Sequence, residues 1–206
     1  MPRNSFILFL GALVLMAAFY GCTGLQKEPV TKNYFDMNIQ GSISNLSQFN
    51  TGESLLVKEL LMESTFDSHS FVYKVASNKY TFDYYNEFIS YPAKLITEKI
   101  TENLCISPYF AIALTDMKQD ITFRLSGKIL KLYGDFQDAT HPKAIIEIRI
   151  ILEKKTGTLF KAISGKTYLA EVPLSSPGPA QLVSGWDQGL TKITNQFIKD
   201  FQNPAF

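Results

Sequence analysis

The sequence is poor in the residues that build metal centres and disulfide frameworks, with two Cys and two His in 206 residues. Cys22, His69, Cys105 and His141 lie far apart in the chain, so none forms the local ligand pair that a Cys/His structural zinc site requires. An excess of charge of one sign is also lacking. Twenty Lys and Arg stand against nineteen Asp and Glu, a net charge of +1, whereas proteins that displace counterions from phosphate backbones carry a basic excess. Nucleic acid is therefore not an expected partner. Nine Pro and twelve Gly are too few for a disordered chain, and a composition 46% hydrophobic and 19% charged can bury a core. The length fits one domain, and no internal repeat at a solenoid period is visible.

Catalytic motifs are missing as well. Gly165-Lys166-Thr167 suggests a phosphate-binding loop, but the position five residues before its glycine is Phe160, where that motif needs Gly. A Gly marking a bulge in a strand explains the tripeptide. No Gly-x-Ser-x-Gly elbow occurs, and His69 and His141 sit in polar, loop-like stretches. The carboxylate pairs Asp116/Asp120 and Asp135/Asp138 fall where turns are expected, and Asp is common in turns for backbone reasons. The chain thus reads as a non-enzyme, with no cofactor and no metal site.

What is present begins at the N-terminus. Residues 1–21 carry one charge, Arg3, then an uncharged run from Phe6 to Tyr20 and Gly21 before Cys22. That run is shorter than the about 20 residues a membrane-spanning helix needs, and it suits the core of an export signal. Gly21-Cys22 followed by a polar stretch resembles a bacterial lipoprotein signal, although Phe19 and Tyr20 stand where such signals usually carry Leu and a small residue. Cys22 is accordingly the expected lipidation site, with cleavage in front of it and residues 22–33 as a tether. Loss of residues 1–21 removes Arg3 and no acid, leaving basic and acidic groups equal in number. Membrane attachment would then rest on acyl chains, at about 0.8 kcal/mol per buried methylene. With Cys22 acylated, Cys105 reads as a buried small hydrophobe at the end of a helix.

From Tyr34 onward apolar segments recur. Leu55–Met62, Phe71–Val75 and Tyr80–Tyr85 read as strands, the first also fitting a helical face through Leu56, Val57, Leu60 and Leu61. Pro92 opens a helix with Ala93, Ile96, Ile100 and Leu104 on one stripe and Glu98 and Glu102 away from it. Tyr109–Leu114 is a continuous apolar run, expected as a strand buried on both faces. Asp120–Tyr133 and Lys143–Lys154 alternate cleanly, and Lys155-Thr156-Gly157-Thr158 returns the chain to a third strand, Leu159–Val172. After Pro177-Gly178-Pro179, the residues Leu182, Trp186, Leu190, Ile193, Phe197 and Phe201 predict a long amphipathic helix. The expected class is α+β, a mostly antiparallel sheet with both helices packed on one face. The aromatics Tyr80, Phe82, Tyr84 and Phe88 either pack in this core or line a lipid-contacting or partner surface.

Taken in order, these segments resemble the ABC-type transport auxiliary lipoproteins, the PqiC-like partners of MCE-domain lipid transporters. The resemblance is carried by Tyr34-Phe35-Asp36-Met37, by Phe71-Val72-Tyr73-Lys74, by Tyr80–Tyr85 with Phe88, and by Pro92 opening a helix with Leu95, Ile96 and Ile100. The hairpin at Thr156-Gly157 and the terminal helix continue it, over about residues 34–202. Lys74 stands where the family usually has Arg, and Phe88 where it has Trp. The resemblance implies a periplasmic domain, residues 34–206, anchored to the outer membrane and supporting transport of lipids or other hydrophobic molecules by binding an MCE-domain partner, with a homo-oligomer also open. Thr23 after the Cys agrees with outer-membrane sorting, since enteric lipoproteins retained at the inner membrane more often carry Asp there. Tyr80–Phe88 and Gly134–Pro142 are the candidate interfaces. The alternatives are a structural envelope lipoprotein that docks on a cell-wall or outer-membrane assembly partner, and a secreted enzyme using Asp or Glu chemistry.

Overall fold

A computed structural model describes residues 31–37, 53–107, 109–110, 112–114 and 121–202. Among them run the strands β1 (Asn33–Phe35), β2 (Ser54–Val57), β3 (Leu61–Met62), β4 (Ser70–Ala76) and β5 (Lys79–Phe88). Helix α1 (Pro92–Ile106), β6 (Ile112–Leu114), β7 (Phe123–Asp135), β8 (Lys143–Thr156), β9 (Leu159–Pro173) and helix α2 (Pro179–Gln202) follow. All nine strands join one mixed sheet. The class is α+β, and the long antiparallel ladders β7–β8–β9 form the meander expected from their alternation.

Strand β7 organises the sheet. One edge pairs with β8 along nearly its whole length. The other edge is met in turn by β2 at Leu55–Val57, β3 at Leu61–Met62 and β4 at Tyr73–Lys74, all parallel to it. The stretch read as one strand or a helix is therefore two short strands, joined where Leu60 donates its backbone N–H to Thr97 Oγ1 of α1. Thr97 in turn donates to the Ala93 carbonyl, so this buried hydroxyl is satisfied twice. Between Ile129 and Lys131 the ladder shifts by one residue. This bulge at Leu130 changes the parity of β7, so that Phe123, Leu125 and Ile129 before it and Leu132 after it are all buried.

Both helices cover one face. Helix α2 buries Leu182, Trp186, Leu190, Ile193 and Phe197 against even-numbered residues of β8 and β9. The close approach requires glycine: a Cβ on Gly185 would stand 2.6 Å from Ala144 Cβ, and one on Gly189 would stand 2.7 Å from Ile146 Cγ2. Trp186 is fully buried, packs edge-on to Phe71 at 5.2 Å and tilted on Phe88 at 5.3 Å, and donates Nε1–H to the Ile145 carbonyl. Helix α1 buries Ala93, Ile96, Ile100 and Leu104 as its stripe requires and leaves Glu98 and Glu102 exposed. Among the described residues no helix is long and apolar enough to cross a membrane.

Four local expectations are corrected. The run Tyr109–Leu114 is a strand only over Ile112–Leu114, with Phe110 buried in the core beside Phe201. The irregularity in β9 falls at Ile163, between Ala162 and Ser164, while Gly165 pairs in register with Ile151. Cys105 is exposed, because Leu104 takes the inward position of the last helical turn and its neighbour is rotated out of the stripe. Asn33, expected in the tether, opens β1 and pairs with Asn86 of β5. The hairpin return is as expected, with Gly157 at φ 64°, a conformation that suits glycine.

Candidate functional site

The strand β5 does not pair continuously with β4. Val72 faces Phe82, but two residues back Ser70 faces Glu87, so residues 83–86 bulge out of the ladder opposite Phe71. Asp83 holds this excursion: Oδ1 accepts the backbone N–H groups of Tyr85 and Asn86, and Oδ2 accepts the Tyr73 hydroxyl and the Asn86 side-chain amide. Burial pushes the Asp83 carboxyl up, but these hydrogen bonds outweigh it and hold the group below the usual carboxylate range. The Tyr73 hydroxyl is driven well above its ordinary value, by burial first and by Asp83 second. The result is a rigid extrusion of Tyr84 and Tyr85, stacked edge to face at 5.4 Å.

The four aromatics singled out in the sequence therefore divide. Tyr80, Phe82 and Tyr84 are 36%, 56% and 61% exposed, whereas Phe88 is 2% exposed and lies between Phe71 and Trp186. Phe88 is a core residue and leaves the candidate surface, because the bulge reverses the facing of the strand after Phe82. Tyr80 leans on Phe66 and Tyr133, and burial pushes the Tyr133 hydroxyl up to about 12.

The second candidate stretch reaches the same end of the sheet. Gly134 and Asp135 belong to β7 and not to a loop. The loop proper starts at Phe136, which donates its N–H to the Lys74 carbonyl and stacks on Tyr73 at 5.1 Å. Lys74 is paired with Tyr80, and its ammonium lies over the Tyr133 ring. Lys74 thus links this end of the sheet, with Tyr80 across the β4–β5 ladder and Phe136, the start of the loop, on its carbonyl. Within the loop Asp138 accepts hydrogen bonds from Thr140 and pairs with His141, which holds its carboxyl well below the usual range. Asp135 ends β7 and accepts the Gln137 N–H, Asp138 lies in the loop, and Asp116 and Asp120 lie outside the described residues, as does Cys22.

Several charges of the open sheet face are paired. Arg124 makes a two-pronged bond to Glu153, and Lys128–Glu63, Lys131–Glu147 and Lys143–Glu171 form ion pairs. At the other end of the sheet, a cavity of about 330 Å³ is lined by Phe123, Leu152, Ile163 and Phe197, with Asp200 at its rim accepting from Lys166 and Tyr168. Among the described residues no group of three or more His, Cys, Asp or Glu could hold a metal ion. Sequence reasoning placed Tyr85 only within the Tyr80–Phe88 stretch and missed Tyr34, Ile89 and Tyr91 as surface residues, all four more than half exposed. The signal was present in Asp83-Tyr84-Tyr85-Asn86, where two turn-forming residues bracket a break in strand alternation.

These features define an α+β domain whose sheet is backed by two helices on one face and presents exposed aromatics along β1 and β5. Solved structures share this fold. A protein of Xanthomonas campestris described as a member of the DUF330 family superposes with a TM-score of 0.67 at 15% identity, over 81% of this chain and 92% of that one. A second protein, described only as uncharacterized, gives 0.67 at 13% identity, over 83% of this chain and 99% of its own. At these identities the likeness establishes the fold alone. No family model and no curated protein matches the chain.

Proposed function

We propose that this protein is an auxiliary lipoprotein of an MCE-type ABC transport system, anchored to the outer membrane through Cys22 and acting by binding a periplasmic partner rather than by catalysis. The observation that carries the reading is that Tyr80 and Phe82 remain 36% and 56% exposed at the end of the sheet where the loop begun by Phe136 also lies. Exposed aromatics in a rigid setting are what protein interfaces use as anchors. With basic and acidic groups equal in number after residue 21, little field is left for long-range steering, so association should depend on apolar contact and vary little with salt. The strand and helix order and Gly21-Cys22 support the same reading through the family resemblance. Phe82→Asp, which adds a charge to a half-exposed position, tests it: the variant should fold and remain anchored yet fail to restore detergent resistance to a deletion strain. Full restoration would refute a binding role for this surface.

A further inference from the structure

Beside the partner-binding end, the sheet carries a second aromatic group at the edge where the chain enters the domain. β1 is the edge strand, parallel to Asn86–Phe88 of β5. Lys32, the residue before it, pairs with Glu87 and holds its ammonium 5.0 Å from the centre of the Tyr84 ring. Tyr34 faces Glu87 across the β1–β5 ladder, on the same side as the Lys32–Glu87 pair. Tyr34, Tyr84 and Tyr85 are 61%, 61% and 55% exposed. These three rings are therefore gathered round the entry point of the chain and left uncovered by the folded unit.

We infer that Lys32, Tyr34, Tyr84 and Tyr85 form a lipid-contact surface that sits in the headgroup zone of the membrane holding the anchor. The inference rests on the reading that Cys22 is acylated. Three arguments select a membrane as the occupant. The first is reach. Cys22 is ten residues before Lys32, and a chain of that length spans at most roughly 35 Å even when fully extended. Lys32 and the β1 edge are thus kept within that distance of the bilayer, closer than the chain itself requires of any other part of the domain. The second is chemistry. A tyrosine has an apolar ring and a hydroxyl that must stay wet, the combination enriched where hydrocarbon meets headgroups, and a lysine stem can lie along apolar surface with its ammonium in water. The third is rigidity. The four hydrogen bonds accepted by Asp83 fix the Tyr84–Tyr85 projection in the unbound domain, so little ordering cost remains on contact. Because Lys32 is neutralised by Glu87, the surface does not need anionic lipid.

The domain would accordingly lie with its β1 edge on the membrane and its Lys74–Tyr80–Phe82 end available to a partner. The experiment uses the full acylated chain reconstituted in phosphatidylethanolamine/phosphatidylglycerol vesicles with or without brominated acyl chains. A single tryptophan is introduced by Tyr84→Trp, by Tyr85→Trp, or, as control, by Leu159→Trp at the exposed tip of the β8–β9 hairpin. Trp186 is fully buried and common to all, so it serves as a constant background and a check on folding. Brominated lipid should remove most of the emission added by Tyr84→Trp or Tyr85→Trp and little of that added by Leu159→Trp. Protein that floats with the vesicles while neither bulge position is quenched would overturn the lipid contact and leave the acyl anchor standing. Equal quenching at all three positions would overturn the orientation. Failure to float would overturn the anchor and the inference with it. Protection of Tyr84→Trp that appears only when an envelope protein is added would assign the surface to that protein instead.

Discussion

Replacing Trp186 by Ala removes the side chain on which α2 and the sheet meet. It is fully buried, packs on Phe71 and Phe88, and donates to the Ile145 carbonyl. Trp→Ala in a core costs about 3–5 kcal/mol in lost transfer energy and residual cavity. The Trp186→Phe change keeps most of the ring but loses the indole donor, worth about 0.5–1.5 kcal/mol net, along with part of the packing volume. The compact unit is Lys32–Phe206, in the size class where each kcal/mol moves the melting temperature about 2–4 °C. Trp186→Ala should therefore melt roughly 6–20 °C lower than the parent, with Trp186→Phe between them. Lys192→Asp, on the exposed side of the same helix, should stay within about 0.5 kcal/mol. Circular dichroism melts and urea titrations of the three variants read these differences directly. Trp186→Ala that melts with the parent would refute the placement of α2 on the sheet.

Further outcomes follow from the same geometry. Ile193→Asp places a carboxylate among buried residues of α2 and should unfold the domain or nearly so, which urea titration beside Lys192→Asp will show. Gly189→Leu should be far more damaging than the same change at Gly165, since a Cβ at Gly189 already meets Ile146 whereas Gly165 opens on free space; comparative melts check this. The raised Tyr133 hydroxyl binds its proton more tightly folded than unfolded, so the stability linked to it is whole below about pH 10 and declines as the pH rises toward about 12; the absorbance of phenolate against pH should show this tyrosine ionising late. Asp83→Ala should release the bulge and speed amide exchange at Tyr85 and Asn86 while leaving the β7–β8 ladder protected.

Much of the fold was legible because long segments carried one period. Lys143–Lys154 alternates and is β8; Leu182, Trp186, Leu190 and Ile193 step by helical turns and form α2. Short elements were harder to read, since their pairing depends on partners distant in sequence. Nothing in Leu55–Met62 alone divides β2 from β3; the division comes from a shared partner, β7, and from Thr97 on α1. The facing of β5 is hidden from the sequence for a related reason. Period-two reasoning carries Phe82 and Phe88 to the same side, and the bulge held by Asp83 reverses that relation, burying Phe88 while Phe82 stays at the surface. The candidate site was thus visible as an aromatic stretch, but its separation into core, partner-facing and tether-proximal groups required the register.

The account turns on what Phe82 touches in the cell. A photo-activated crosslinker placed at Phe82 in the full-length protein, with the same group at Leu159 as control, should capture a periplasmic MCE-domain protein from Phe82 and not from Leu159. Capture from Phe82 of cell-wall enzymes alone would contradict the account and favour a structural lipoprotein of the envelope.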